Sequence, residues 1–188
     1  MSEDMNSFVE QVELDMMEKL EKFRRELATL RTGRANPQLL DNVHVEYYGA
    51  RVPLKQVAAI SVPESRTLEI RPWDKSALDA IESELRKLDL GAAPIKNGDI
   101  IRLSLPAMTE DQRKKMVKVV HGMGEDARVS IRNVRRAAVD KVKKAEKAKE
   151  ITEDDIERYE AAIQKTTDVY IKNVDDTAAS KEKDLLTV

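Results

Sequence analysis

Two stretches of this chain hold an apolar repeat of three and four residues for longer than a globular core can use. From Thr109 onward, Met116, Val119, Met123, Ala127, Val134, Ala138 and Ala145 continue one seam to about residue 147. From Thr152, a second seam of Ile156, Tyr159, Ile163, Tyr170, Val174 and Leu185 runs towards the C-terminus. At 1.5 Å per residue, each pattern predicts a helix roughly 50–58 Å long. Both starts are marked. Thr109-Glu110-Asp111-Gln112 has the form of a capping box, and Thr152-Glu153-Asp154-Asp155 sets acids in a first turn. The short link between the two makes them antiparallel neighbours, and neither has the apolar surface for a private core. A third seam, Val9, Val12, Met16, Leu20, Phe23, Leu27 and Leu30, completes a three-helix bundle. It is expected to end at Arg31-Thr32-Gly33, before Asn36-Pro37.

Between the first and second seams the pattern changes. Val43-His44-Val45-Glu46-Tyr47-Tyr48 alternates and is followed by Gly49-Ala50 and Arg51-Val52-Pro53-Leu54, which predicts a hairpin. Strands are expected over Val57–Val62, Leu68–Arg71 and Ile100–Leu105. A helix is expected between Asp74, as N-cap, and Gly91, with Leu78, Ile81, Leu85 and Leu88 inward. The predicted fold is therefore α+β: an elongated antiparallel three-helix bundle of residues 1–30 and 107–188, with a smaller α/β domain, 31–106, inserted. The two crossings, at about 31–37 and 104–108 and punctuated by Gly33, Pro37 and Pro106, predict a hinge.

Composition removes several function classes. The absence of cysteine excludes disulfides, thiol nucleophiles and thiolate metal sites. No apolar run approaches the length of a membrane span. The opening Met1-Ser2-Glu3-Asp4-Met5-Asn6 resembles neither a secretory signal nor a transit peptide, so a soluble cytoplasmic chain is expected. His44 and His121, the only histidines, are far apart, which argues against a metal centre or a nucleophilic site, so no enzyme activity, cofactor or metal is expected. No G-x-x-x-x-G-K-[ST] phosphate loop occurs among the six glycines.

The net charge of −2 conceals a segregation. Residues 1–30 carry four basic and eight acidic groups, and 31–106 carry eleven and ten. Residues 107–148 carry twelve and six, and 149–188 carry six and eleven. The middle helix is thus a basic rod. On a helical projection, Lys114, Lys118, His121, Arg128, Arg132, Arg135, Arg136 and Lys143 fall within about 100° of arc. The seam of Met116, Val120, Met123, Ala127, Val134 and Ala145 is expected roughly opposite, leaving the arginines facing solvent or a partner. Arginine binds phosphate bidentately, and few acids share this face, so an extended RNA surface is the better reading than a merely solvated face. With almost no aromatics on the stripe, contact should be with the backbone of folded RNA.

Several ordered segments resemble the ribosome recycling factors, over nearly the whole chain. They are Arg31-Thr32-Gly33-Arg34-Ala35-Asn36-Pro37, Val45-Glu46-Tyr47-Tyr48-Gly49, Ser65-Arg66-Thr67-Leu68, Asp89-Leu90-Gly91 and Gly98-Asp99-Ile100-Ile101-Arg102. Leu105-Pro106 with Thr109-Glu110, then Arg128 with Ile131-Arg132-Asn133-Val134-Arg135-Arg136, and Glu153-Asp154-Asp155 complete the set. The resemblance implies an L-shaped two-domain monomer that binds large-subunit ribosomal RNA after termination. Elongation factor G, using GTP, would then drive subunit separation and release of mRNA and tRNA. It assigns RNA contact to Arg128, Arg132, Arg135 and Arg136, with Arg31 beside them, and the hinge to Arg34, Pro37 and Leu105-Pro106. The chain departs from the family pattern at Ala93, Asp111-Gln112, His121, Gly122 and Gly124.

One alternative is a helical adaptor or chaperone that binds protein through the bundle or through Tyr47, Tyr48 and Trp73. For those three aromatics, packing inside the α/β module is the preferred expectation.

Overall fold

The computed structural model describes residues 2–187, with side chains from Asn6 onward. Residues 1 and 188, the ends of the expected bundle, lie outside the described residues. Helix α1 spans Ser2–Ala28, α3 Glu110–Lys147 and α4 Glu153–Leu186. Between α1 and α3 come strands β1 (His44–Tyr47), β2 (Ala50–Pro53), β3 (Ala58–Glu64) and β4 (Thr67–Pro72), helix α2 (Leu78–Arg86), and strands β5 (Pro94–Asn97) and β6 (Ile100–Ser104). The fold is α+β. The chain divides into two compact units, Met1–Leu27 with Lys118–Lys183, and Ala28–Val117 with Asp184–Val188.

The first unit is a helical bundle. Its core is Val12, Met16, Leu20, Phe23 and Leu27 of α1, Val120, Ala127, Ile131, Ala138 and Val142 of α3, and Ile163, Tyr170, Val174 and Ala178 of α4. Thr167 is also buried; its hydroxyl donates to the Ile163 carbonyl at 2.7 Å, which satisfies it within its own helix. Pairs of side chains fix the helix directions. Arg128 meets Asp175 and Lys143 meets Glu160, so α3 and α4 run antiparallel. Phe8 packs edge-on against Tyr159 at 5.6 Å and Tyr170 donates to Glu13 at 3.4 Å, so α1 and α4 run parallel. The expected capping box forms at the start of α3, and Thr152 makes a second one at the start of α4. Thr109 and Gln112 exchange backbone-to-side-chain bonds of 2.9 and 3.2 Å, and Thr152 and Asp155 do the same at 3.0 and 3.2 Å.

The second unit holds a four-stranded antiparallel sheet in the order β3-β4-β6-β5 and the separate hairpin β1-β2. Leu68, Ile70, Ile101 and Leu103 fill its inner face, with Ile81 and Leu85 of α2 and with Leu39, Leu40, Val45 and Leu54. In the hairpin, Tyr47 pairs Ala50 across Tyr48 and Gly49, both at positive φ (48° and 76°). Such a two-residue turn matches the strand twist, and glycine relieves its second position. Two sequence expectations need correction. The helix expected from Asp74 to Gly91 is shorter: Asp74 caps a single tight turn at Lys75–Ala77 by accepting from the Ser76 amide at 2.9 Å, and α2 ends at Arg86. Strand β5 was not anticipated, because it starts on a proline and its isoleucine, Ile95, is exposed. The sheet's edge strands, β3 and β5, each contain a proline, Pro63 and Pro94, and β3 breaks register between Ser61 and Glu64. Prolines and bulges are tolerated at edges and block pairing with another chain there.

Candidate nucleic-acid interface

The basic stripe lies along α3, but its setting differs from the expectation. The buried positions of α3 are Val120, Gly124, Ala127, Ile131, Ala138 and Val142. Met123, Val134 and Ala145, expected in the seam, are only half-buried. The core seam is thus rotated towards the arginines, and the stripe flanks it at about 100° rather than opposing it. Arg128 and Arg135 consequently stand at the border with α4, where acids and an amide reach them.

Most of the stripe is tied within the protein. Arg128 donates to Glu125 at 2.9 Å and to Asp175 at 2.7 Å, and its side chain is only 23% exposed. Arg132 reaches the other Glu125 oxygen at 3.1 Å, and Arg135 donates to Gln164 at 2.7 Å. His121 Nε2 lies 3.0 Å from a Glu182 oxygen, Lys143 lies 3.8 Å from Glu160, and Lys114 lies 2.7 Å from Glu110. The expectation that the arginines escape intramolecular pairing fails for Arg128, Arg132 and Arg135. Glu125, on the same face of α3, holds Arg128 and Arg132, and α4 adds Asp175 to Arg128 and the Gln164 amide to Arg135. Among the described residues, Arg136 and Lys118 are exposed and make no ion pair.

The ties at Glu125 shift that carboxyl and Arg128. The Arg128 hydrogen bond, then that of Arg132, hold the Glu125 carboxyl below its usual range. The Glu125 bond in turn raises Arg128 further, so its charge is permanent. The partners on α4 were open to inference from the sequence. A helical hairpin turning near residue 151 sets 143 opposite 160, 128 opposite 175 and 121 opposite 182.

The remaining predicted residues fall in the second unit. Arg31 is half-buried and donates to the Pro106 carbonyl at 3.3 Å, with its guanidinium against Gly91. Gly33 takes φ of 84° and Pro37 opens a tight turn capped by the Asn36 side chain. Leu105 is buried, its amide donating to the Arg66 carbonyl at 2.7 Å. Arg34 and Pro106 are exposed. The aromatic trio departs from expectation too. Tyr48 is 82% exposed and Trp73 62%, while Tyr47 is half-buried. The positive-φ turn carries the Tyr48 ring outward, and both tyrosine hydroxyls donate to one Asp74 oxygen, at 3.1 and 3.2 Å. The Ser76 amide and these hydroxyls together hold the Asp74 carboxyl low. His44 is bonded to the Asn42 carbonyl at 3.0 Å. Among the described residues no cluster of His, Asp and Glu suits a metal, and no helix is long and apolar enough to cross a membrane.

The chain is thus a two-unit α+β protein with a long helix, α3, that carries a cationic face. Comparison with known proteins narrows this class. Residues 23–186 match the Ribosome recycling factor family, and the chain belongs to that family. It is 49% identical over 183 residues to the ribosome-recycling factor of Streptococcus pneumoniae (strain 70585), covering 97% of this chain and 99% of that one. The factor of Streptococcus sanguinis (strain SK36) is 48% identical over the same length. A solution structure of a ribosome recycling factor superposes with a TM-score of 0.79 at 38% identity, covering 98% of each chain. The T. thermophilus factor, described with E. coli elongation factor G bound to the E. coli post-termination complex, gives 0.68 at 44%, covering 97% of this chain and 98% of that one.

Proposed function

We propose that this chain recycles ribosomes after termination. It binds the post-termination complex through large-subunit RNA, and elongation factor G with GTP drives the subunits apart, releasing mRNA and tRNA. The observation that carries this reading is the match, over nearly the whole chain, to a factor described on that complex beside elongation factor G. In this reading the chain is a cytoplasmic monomer without cofactor or catalytic group. The energy comes from the partner's GTP, in keeping with a sequence that has no phosphate loop of its own.

The contact to RNA is assigned to Arg128, Arg132, Arg135 and Arg136, with Arg31, Lys114, Lys118, His121 and Lys143 around them. Arg128 and Arg135 act chiefly by shaping the face, because their guanidiniums are engaged by α4; Arg136 and the outer edge of Arg132 are left to bind phosphate. The segments at about 31–37 and 104–108 serve as the hinge of the expected two-domain molecule.

A splitting assay with ribosomes, elongation factor G and GTP tests the function directly. Subunits should separate only when all three and this chain are present; separation independent of the chain would refute it. Cosedimentation with ribosomes separates this reading from that of a protein-binding adaptor, which the exposed Tyr48 and Trp73 would serve.

A further inference from the structure

A row of four charged side chains, all within the first unit, links α4 to the outer edge of the α3 stripe. Asp175 of α4 accepts from Arg128 at 2.7 Å, and Arg128 Nε donates to Glu125 at 2.9 Å. Arg132 then donates to the other Glu125 oxygen at 3.1 Å. Exposure rises along the row. The Arg128 side chain is 23% exposed, whereas those of Glu125 and Arg132 are each 52% exposed. The inner end is held between two helices, and the outer end faces solvent.

Spacing explains why Glu125 takes both arginines. Positions 125, 128 and 132 follow steps of three and four, which set their side chains on one helix face. Arg128 and Arg132, four apart, repel one another there; a carboxylate with an oxygen for each replaces that repulsion with two charge-assisted bonds. An isolated surface pair fixes little, but a pair inside a network with a partly buried member is held more firmly. Through Glu125, the anchorage of Arg128 on α4 reaches Arg132. The bond engages Nη1 of Arg132, and among the described residues Arg132 has no other hydrogen-bond or ion-pair partner. Its Nε and Nη2 donors stay available.

We infer that Glu125 is a positioning residue for nucleic-acid binding, presenting the Arg132 guanidinium to phosphate in a fixed orientation. This rests on the proposed contact of the α3 stripe with RNA. By Coulomb's law alone the negative charge of Glu125 weakens that contact, so the two effects have opposite signs. A pre-set side chain removes an ordering cost that binding otherwise meets in full. The charge of a half-exposed carboxylate is screened by solvent and salt, so the positioning effect is the larger.

The test compares the full chain with Glu125→Gln in two measurements. The first needs no ribosome. In 15N relaxation, the side-chain Nε–Hε group of Arg132 should lose order in Glu125→Gln, while that of Arg136, which makes no ion pair, stays as it is. The second is ribosome cosedimentation, where Glu125→Gln should bind about fivefold more weakly, the scale of ordering one long side chain. In an Arg132→Ala background the same substitution should cause no further loss, a coupling that a purely stabilising role for Glu125 would not produce. Unchanged order at Arg132, or ribosome binding as tight or tighter in Glu125→Gln, overturns the inference. Arg136→Ala separates the two readings. Where it weakens binding and Glu125→Gln does not, the inference alone fails; where neither weakens it, the RNA contact of the stripe fails with it.

Discussion

Arg128 and Arg136 carry the same charge on the same stripe, yet the structure gives them different work. Arg128 bridges Glu125 and Asp175, linking α3 to α4, whereas Arg136 has solvent around it. Arg128→Ala should therefore lower stability by about 0.5–1 kcal/mol, the scale of a partly exposed ion pair, read as a shift in the urea midpoint. Arg136→Ala should leave that midpoint within about 0.5 kcal/mol. On the proposed function it should instead weaken ribosome cosedimentation and reduce the log–log salt slope by about 1. Equal ribosome affinity for Arg136→Ala and the parent at two salt concentrations would sink its assignment to RNA. Glu125 adds a pH dependence. Its carboxyl titrates lower folded than unfolded, so its contribution is present above the unfolded value, about 4.3. That contribution is lost as pH falls through the lower folded value. The acid limb of stability, followed by urea midpoints below about pH 5, should be shallower in Glu125→Gln.

Helices α3 and α4 each depend on a capped start, and α3 also on one weak turn. Thr109 and Thr152 each close a reciprocal cap, and Thr109→Ala or Thr152→Ala should cost about 1 kcal/mol apiece in urea unfolding. Gly122 and Gly124 sit within the helix, where glycine costs up to about 1 kcal/mol relative to alanine. A Cβ at Gly122 meets nothing within 4 Å, and one at Gly124 meets Arg128 and Ala178 no closer than 3.6 Å. Gly122→Ala and Gly124→Ala should each raise stability by about 0.5–1 kcal/mol. A fall in midpoint for Gly124→Ala would mean that α3 and α4 pack more tightly there than the geometry allows.

On the scale of the molecule, the near-neutral total charge divides between helices. The basic run of α3 meets α4 along one border, which takes up Arg128, Arg135 and Lys143, while Glu125 of α3 itself holds Arg132. What remains for a partner is a narrower cationic edge than the count of charges implies. The hinge proposed at 31–37 and 104–108 belongs at this scale also. Residual dipolar couplings of the chain, free and on the ribosome, should report two different orientations of its domains; one orientation in both states would remove the hinge.

Periodicity alone placed the three long helices, because a one-sided apolar repeat has only one low-energy arrangement in water: the helix that buries it. The cap of Thr109 with Gln112 and the first hairpin, with its turn at Gly49, were legible for similar local reasons, whereas the cap of Thr152 with Asp155 was not. Kinship to the ribosome recycling factors was legible from motif order. Tertiary structure alone decided which residues of α3 are inward, since a rotation of one position costs little when the candidates are Met123, Val134 and Ala145 against Gly124, Ile131 and Val142. That rotation set which arginines meet α4, and it left Arg132 to Glu125 of its own helix.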